Sequence, residues 1–181
     1  GLAIVALALL TVAIGPLIAP HAPEGLFPLN RYKEPSAAFW LGTDQYGRDI
    51  MSRLLHGARA TVVMAVSATA LGTMAGAIIG TTSAYLGGRA DEAIMRTVDA
   101  IMSVPSLLFA LLIVNLLGKS SLNALIAVAI AFTPPMARIT RSVALTVRKQ
   151  DYISAAIARG ERATYVVLRE MLPNVVAPIV V

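Results

Sequence analysis

Residues Leu2–Ala19 form an apolar run with no charged side chain. A helix rises 1.5 Å per residue, so this run nearly crosses a hydrocarbon core of about 30 Å. Further apolar runs occupy Ala60–Tyr85, Val98–Leu117 and Ala124–Met136, and another begins at Asn174 and continues to Val181. Only 14% of the 181 residues are charged and 57% are hydrophobic, against about 25% charged in soluble domains. The expected fold class is therefore all-α, a polytopic transmembrane helical bundle. A signal peptide is the alternative for the first run, but no basic segment precedes it. The chain starts at Gly1 within one apolar run and stops at Val181 within another. It is expected to be a fragment, with C-terminal helices missing. It has no cysteine, which excludes disulfide and thiolate chemistry.

Within the second run Gly72, Gly76 and Gly80 recur every four residues, flanked by Ala68 and Ala84. That spacing places them on one helix face, and such rows of small residues let helices approach closely in lipid. A helix-packing seam is the favoured reading, with pathway lining the alternative. Gly87-Gly88 ends this span, and Arg89–Arg96 is expected as a short charged loop. Asp91, Glu92, Arg96 and Asp99 are expected as solvated caps, with Arg96 and Asp99 close enough to pair. Pro105 either kinks the third span or starts its helix after a separate turn. Asn115 is polar within that span, facing a neighbouring helix or the pathway. Pro134-Pro135 interrupts the fourth, which continues as a basic helix with Arg138, Arg141, Arg148 and Lys149 suited to anionic lipid headgroups.

Asp151–Pro173 is a charged island between apolar runs. It reads as two short helices joined at Gly160: Asp151 suits an N-cap, Gly160 a left-handed C′ position, and Pro173 a helix end. Ser154, Ala155 and Ala156 would let another surface approach the first helix. A mere connection between spans could be much shorter, so docking is the sharper reading.

The segment Trp40-Leu41-Gly42-Thr43-Asp44-Gln45-Tyr46-Gly47-Arg48-Asp49 reads as a tight turn, with Gly42 and Gly47 at unusual backbone angles and Asp44 forming an Asx-turn. Its carboxylates lack the alternating ligands and distal Glu of a calcium loop, so no metal is expected.

Two stretches resemble a known family. Ser154-Ala155-Ala156, Gly160 and Leu172-Pro173-Asn174 are similar to the EAA signature of ABC-importer permeases, with Ser154 in place of the family's acidic residue. Residues Leu41–Asp49, continued by Arg53, Gly57, Ala58 and Arg59, resemble the LGTDxxGRD signature of the dipeptide, oligopeptide and nickel branch. The resemblance runs from about Leu41 to Val181 and is strongest to the second, C-type permease subunit. It implies a MetI-like core and a division into two parts. Residues 1–59 would be a first transmembrane helix with an extracytoplasmic segment. Residues 60–181 would be the permease domain, with a cytoplasmic coupling loop at 141–173. It also implies import of di- or oligopeptides or nickel by alternating access in a bacterial or archaeal cytoplasmic membrane. The implied partners are a homologous permease, two cytoplasmic ATPases, an extracytoplasmic binding protein and membrane lipid. The implied site residues are Ser154, Ala155, Ala156, Gly160, Leu172 and Pro173 for ATPase coupling. Those of the outer-face motif are Gly42, Thr43, Asp44, Gly47, Arg48 and Asp49.

No cofactor is expected on this chain; ATP belongs to the partner subunits, since no Walker A pattern occurs. Neither HExxH nor GxSxG occurs, and the only histidines are His21 and His56, which disfavours an intramembrane enzyme. A passive channel would show rings of charge or a filter motif. The net charge of +5 reflects loop bias and not nucleic-acid binding. With 151–173 cytoplasmic, nine basic residues lie on that side and six on the other, the arrangement the positive-inside tendency favours.

Overall fold

The computed structural model describes residues 1–180, and their side chains except at positions 2, 8 and 177–180. Among the described residues every regular element is helical, and the one extended pairing is an isolated bridge between Thr43 and Asp49. The chain forms two compact units, Gly1–Val66 and Ser67–Val181.

In the first unit, helix α1 (Leu2–Ile18) is apolar along its 17 residues. An irregular segment follows, with one short 3-10 turn at Pro28–Asn30. Helix α2 (Ile50–Leu86) then begins, ten residues earlier than the apolar run suggests. The cause is Asp49, whose carboxylate accepts hydrogen bonds from the amides of Met51 and Ser52 at 3.3 Å each. Capping of free first-turn amides lets a helix start in a polar stretch.

The second unit is built on helix α5 (Ser121–Val147), against which helices α3 (Gly88–Met102), α4 (Ser106–Leu117) and α8 (Leu172–Val180) all pack. Ser120 caps α5 by accepting from the Asn123 amide at 3.1 Å. The expected interruption at Pro134-Pro135 does not occur: α5 runs straight through both prolines. Membrane helices tolerate proline where neighbouring helices shelter the freed backbone; here α4 packs on α5 and Pro134 is buried.

The charged loop expected at 89–96 is also a helix, the first half of α3. Its polar face is exposed, while Asp91 and Val98 are buried. The third span is not continuous: α3 and α4 meet at Pro105 with an 87° bend. Pro105 has no amide to donate and pushes Val104 out of the helical region, so it precedes a new helix better than it prolongs an old one. Asn115 bonds to its own helix at the Leu111 carbonyl, 3.0 Å away, and is exposed.

Helix α2 and helix α5 are each long and apolar enough to cross a membrane, and α3 with α4 would add a third span if the bent pair counts as one. After α5 come a short helix α6 (Asp151–Ala158), a single turn α7 (Ala163–Tyr165), a π-helical turn over Val166–Met171, and α8. Pro173 does not end a helix, as the sequence suggests, but lies inside α8. A proline ring clashes with the carbonyl four residues back; the widened π turn contains that residue, Arg169, and relieves the crowding.

Candidate functional site

The glycine seam fixes α2 against α5. Gly72, Gly76 and Gly80 are buried on one face of α2. A Cβ on Gly72 would lie 2.8 Å from the Ala129 carbonyl oxygen, and one on Gly76 2.8 Å from the Ala137 nitrogen. A Cβ on Gly80 would lie 2.8 Å from both the Arg141 nitrogen and Thr140 Cβ. The contact points on α5 step along it in register with the glycines, so the two backbones touch with no room for side chains.

The segment beyond α5 turns at Gly160, which has φ +78° and nothing within 4 Å of a built Cβ. Its amide donates to the Ile157 carbonyl and that of Glu161 to the Ala156 carbonyl, closing α6. Gln150 rather than Asp151 is the N-cap; Asp151 is the first helical residue and its side chain caps nothing. The three small residues of α6 divide. Ser154 and Ala155 are exposed, whereas Ala156 is fully buried. Ala156 and Ile153 join Ala84 of α2, Ala144 of α5, Val166, Met171 and Val175 in one core. Leu172 is half-buried and Pro173 exposed. The segment thus presents Ser154, Ala155 and the Gly160 corner outward from a packed base.

On the basic face of α5 Arg138, Arg141 and Arg148 are each bonded within the protein, while Lys149 is exposed. Arg141 meets Asp91 in a forked pair, Nε to Oδ1 at 2.6 Å and Nη2 to Oδ2 at 2.5 Å, and Ser83 Oγ donates to the same Oδ1 at 2.5 Å. Arg138 pairs with Asp99. Arg148 Nη1 donates to the Ala84 carbonyl at 2.8 Å and lies against Gly87. The pairing of Arg96 with Asp99 does not form; Arg96 binds Glu92 one turn earlier, at 2.6 Å. Asp91 is therefore a buried ligand of Arg141, not a solvated cap. The signal available for this cluster is the spacing of Arg138, Arg141 and Arg148, which share a helix face.

In the first unit Gly42 and Gly47 both adopt φ +76°. A Cβ on Gly42 would strike the Lys33 carbonyl, and one on Gly47 the Phe27 carbonyl. Between them Asp44 Oδ1 accepts from the amides of Tyr46 at 2.8 Å and Arg48 at 3.0 Å. Its Oδ2 accepts from Arg48 Nε and Arg53 Nη1, both at 2.8 Å. Burial works to raise its pKa, but the two amides and the Arg48 guanidinium prevail and hold it at about 2. Thr43 Oγ1 donates to the Asn30 carbonyl and accepts from the Lys33 amide, pinning the preceding loop. The guanidinium of Arg48 lies 4.6 Å over the Tyr46 ring.

Asp49 is buried at 1% exposure. Ser52 Oγ donates to its Oδ2 at 2.5 Å, and His21 Nδ1 lies 3.3 Å from the same oxygen. Against the opposing effect of burial, these bonds and the Met51 and Ser52 amides lower its pKa. His21 stacks on Phe39 and meets Phe27 edge-on. Nothing in the residue pattern singles out His21 for this role. Among the described residues no cluster of three or more His, Asp or Glu could hold a metal ion.

The sequence profile of the family described as "Binding-protein-dependent transport system inner membrane component" matches residues 72–181, well over half of the chain. The dipeptide transport system permease protein DppC of Alkalihalophilus pseudofirmus is 36% identical over 181 residues, covering 100% of this chain and 60% of the relative. The oligopeptide transport system permease protein OppC of Bacillus subtilis is 35% identical, covering 100% and 59%. The glutathione transport system permease protein GsiD of Pectobacterium atrosepticum is 36% identical over 163 residues, covering 90% and 54%. The chain thus spans somewhat over half the length of these relatives. A matched region that holds the glycine seam, α5 and the whole α6–Gly160 segment places this chain in the binding-protein-dependent transport system inner membrane component family.

Proposed function

We propose that this chain is a transmembrane permease subunit of an ATP-driven ABC importer that moves di- or oligopeptides across the cytoplasmic membrane by alternating access. The observation that carries the reading is the build of the α6 segment: an outward face of small residues, Ser154 and Ala155, on a helix whose other face is locked into the core by Ile153 and Ala156. A surface meant to receive a push from a partner needs both features. Close approach requires small side chains, and transmission requires a base that does not yield. In this reading 151–173 is cytoplasmic and meets one of two ATPases, which bind and hydrolyse the ATP; the permease carries no cofactor. A homologous permease supplies the other half of the pathway. The segment within 1–59 faces a substrate-binding protein outside, through the turn at Gly42–Asp49. Relatives named for dipeptide, oligopeptide and glutathione transport support a peptide cargo.

The test is a single cysteine at Ala155, exposed and in a chain otherwise without cysteine. It is challenged with a co-expressed ATPase from the same source in membranes. A crosslink whose yield changes with nucleotide is the expected result. Labelling of Ala155→Cys only from the outside, or no ATPase adduct in any nucleotide state, would overturn both the orientation and the transporter reading.

A further inference from the structure

Helix α3 leaves α2 through Gly87 and Gly88, at φ +63° and +53°. Two successive left-handed glycines make a swivel that takes these angles without penalty, tied by the Gly87 amide donating to the Ser83 carbonyl at 3.0 Å and the Asp91 amide donating to the Gly87 carbonyl at 3.2 Å. Left to that joint, α3 would be held to α2 by those two backbone bonds without side-chain support, and with it the 87° bend into α4.

Helix α5 splints the joint from both sides. Before it, Arg148 holds the Ala84 carbonyl and its guanidinium fills the space beside Gly87, 2.6 Å from where a Cβ would stand. Across it, Asp91 of α3 receives Ser83 from the end of α2 and both arms of Arg141 from α5. Two turns further, Asp99 takes Arg138. A forked guanidinium–carboxylate pair resists rotation as well as separation, because two parallel bonds fix the relative plane of the groups. Asp91 is the buried partner and Arg141 a part-exposed one, so parting them leaves the Asp91 charge without its counterion. The same α5 packs at Ala144 against the buried side of α6.

We propose that Asp91 and Arg141 are the positioning pair that makes α3 move with α5 as one body, so that displacement at α6 reaches the α3–α4 bend instead of being lost at the Gly87-Gly88 swivel. The inference rests on the permease reading for what the movement accomplishes. The rigidity itself does not depend on it.

Cysteines at exposed Ala93 on α3 and Ser142 on α5 carry spin labels in the full-length permease within its assembled complex. The expected distance distribution is narrow and unchanged between nucleotide-free and nucleotide-bound states, and Asp91→Asn or Arg141→Gln broadens it. In the same complexes, substrate moved per ATP hydrolysed falls roughly threefold to thirtyfold while ATP hydrolysis persists. A label distance in the unmutated pair that shifts with nucleotide would overturn the proposal, even if neither variant assembles. So would Asp91→Asn with a narrow distribution and undiminished transport per ATP. A complex that neither hydrolyses ATP nor moves peptide before any substitution at the pair overturns the permease reading instead, and the broadening in Asp91→Asn still decides the splint.

Discussion

Gly76 of α2 touches α5 so closely that a Cβ placed on it would stand 2.5 Å from Met136 Cβ and 2.8 Å from the Thr133 carbonyl. No rotamer relieves that overlap, since the obstacles are a Cβ and backbone atoms. The helices must separate to admit any side chain. Gly76→Leu is therefore expected to destabilise by about 2 kcal/mol or more, in the range of overpacked cores. Gly57, also in α2, has nothing within 4 Å of a built Cβ and is exposed. There Gly→Ala is expected to stabilise by a few tenths to about 1 kcal/mol, through helix propensity. Thermal melting in detergent checks the pair. Equal melting temperatures for the Gly76 variant and the unmutated protein would remove the seam as a stabilising contact.

Two adjacent alanines of α6 should behave oppositely. Ala156 is fully buried among Ala84, Ala144 and Ile153, while Ala155 is exposed. Ala156→Leu is expected to cost about 1–3 kcal/mol by overpacking, and Ala155→Leu to stay within about 0.5 kcal/mol. In the proposed transporter the sensitivities reverse: Ala155→Leu keeps folded yield but blocks the ATPase contact. Yield and ATPase crosslinking, measured on both variants, separate folding from docking.

How far these relationships are legible in the sequence depends on range. The row Gly72, Gly76, Gly80 declares a close-packed helix by spacing alone, and Gly42, Asp44 and Gly47 declare a turn, because both signals are local. The run Arg89–Arg96 reads as a loop since its charges dominate a linear scan. Its helical character shows only when Asp91 and Val98 are seen to share the face covered by α5. The burial of Asp91 depends on Arg141, fifty residues away, and no local pattern encodes that distance. Pro134, Pro135 and Pro173 mislead for a related reason. Their propensity argument holds for a helix in isolation, whereas the packing of α4 on α5 and the π turn over Val166–Met171 supply the accommodation here. Likewise Asp49 is legible as part of a motif but not as the start of α2, which extends that helix ten residues beyond its apolar run.

The corner at Gly160 has space but not conformational freedom for other residues. Its φ of +78° is strained for a β-branched side chain although no neighbour lies within 4 Å. Gly160→Val is expected to cost about 1–3 kcal/mol locally, leaving membrane insertion unchanged but loosening α6 from α7. Gly160→Asn should be nearly neutral, because asparagine tolerates the left-handed region. In the assembled importer, Gly160→Val is expected to hydrolyse ATP with little transport while Gly160→Asn transports normally. Normal substrate-stimulated ATPase activity and transport in the valine variant would show that the corner has no part in coupling.

The turn at Asp44 and Asp49 gives the outer segment a predictable acid response. Both carboxylates have folded pKa values below their ordinary value of 3.8, Asp44 at about 2. A depressed pKa means the folded state binds protons less readily than the unfolded one, so stability is fully present above the unfolded pKa. It drains away as pH falls through the folded values. The segment should therefore hold its structure from neutral pH to about 4 and loosen between about 4 and 2. Trp40 is the only tryptophan of the chain and lies beside this turn, so its fluorescence reports the change directly. Asp49→Asn should raise the midpoint and lower stability by about 1–3 kcal/mol at neutral pH. The amide has one oxygen where the carboxylate has two, and Met51, Ser52 and His21 all converge there. A Trp40 signal that moves between pH 7 and 5, above both carboxylate values, would assign the transition to another group and remove Asp44 and Asp49 as the acid-sensitive hold on this turn.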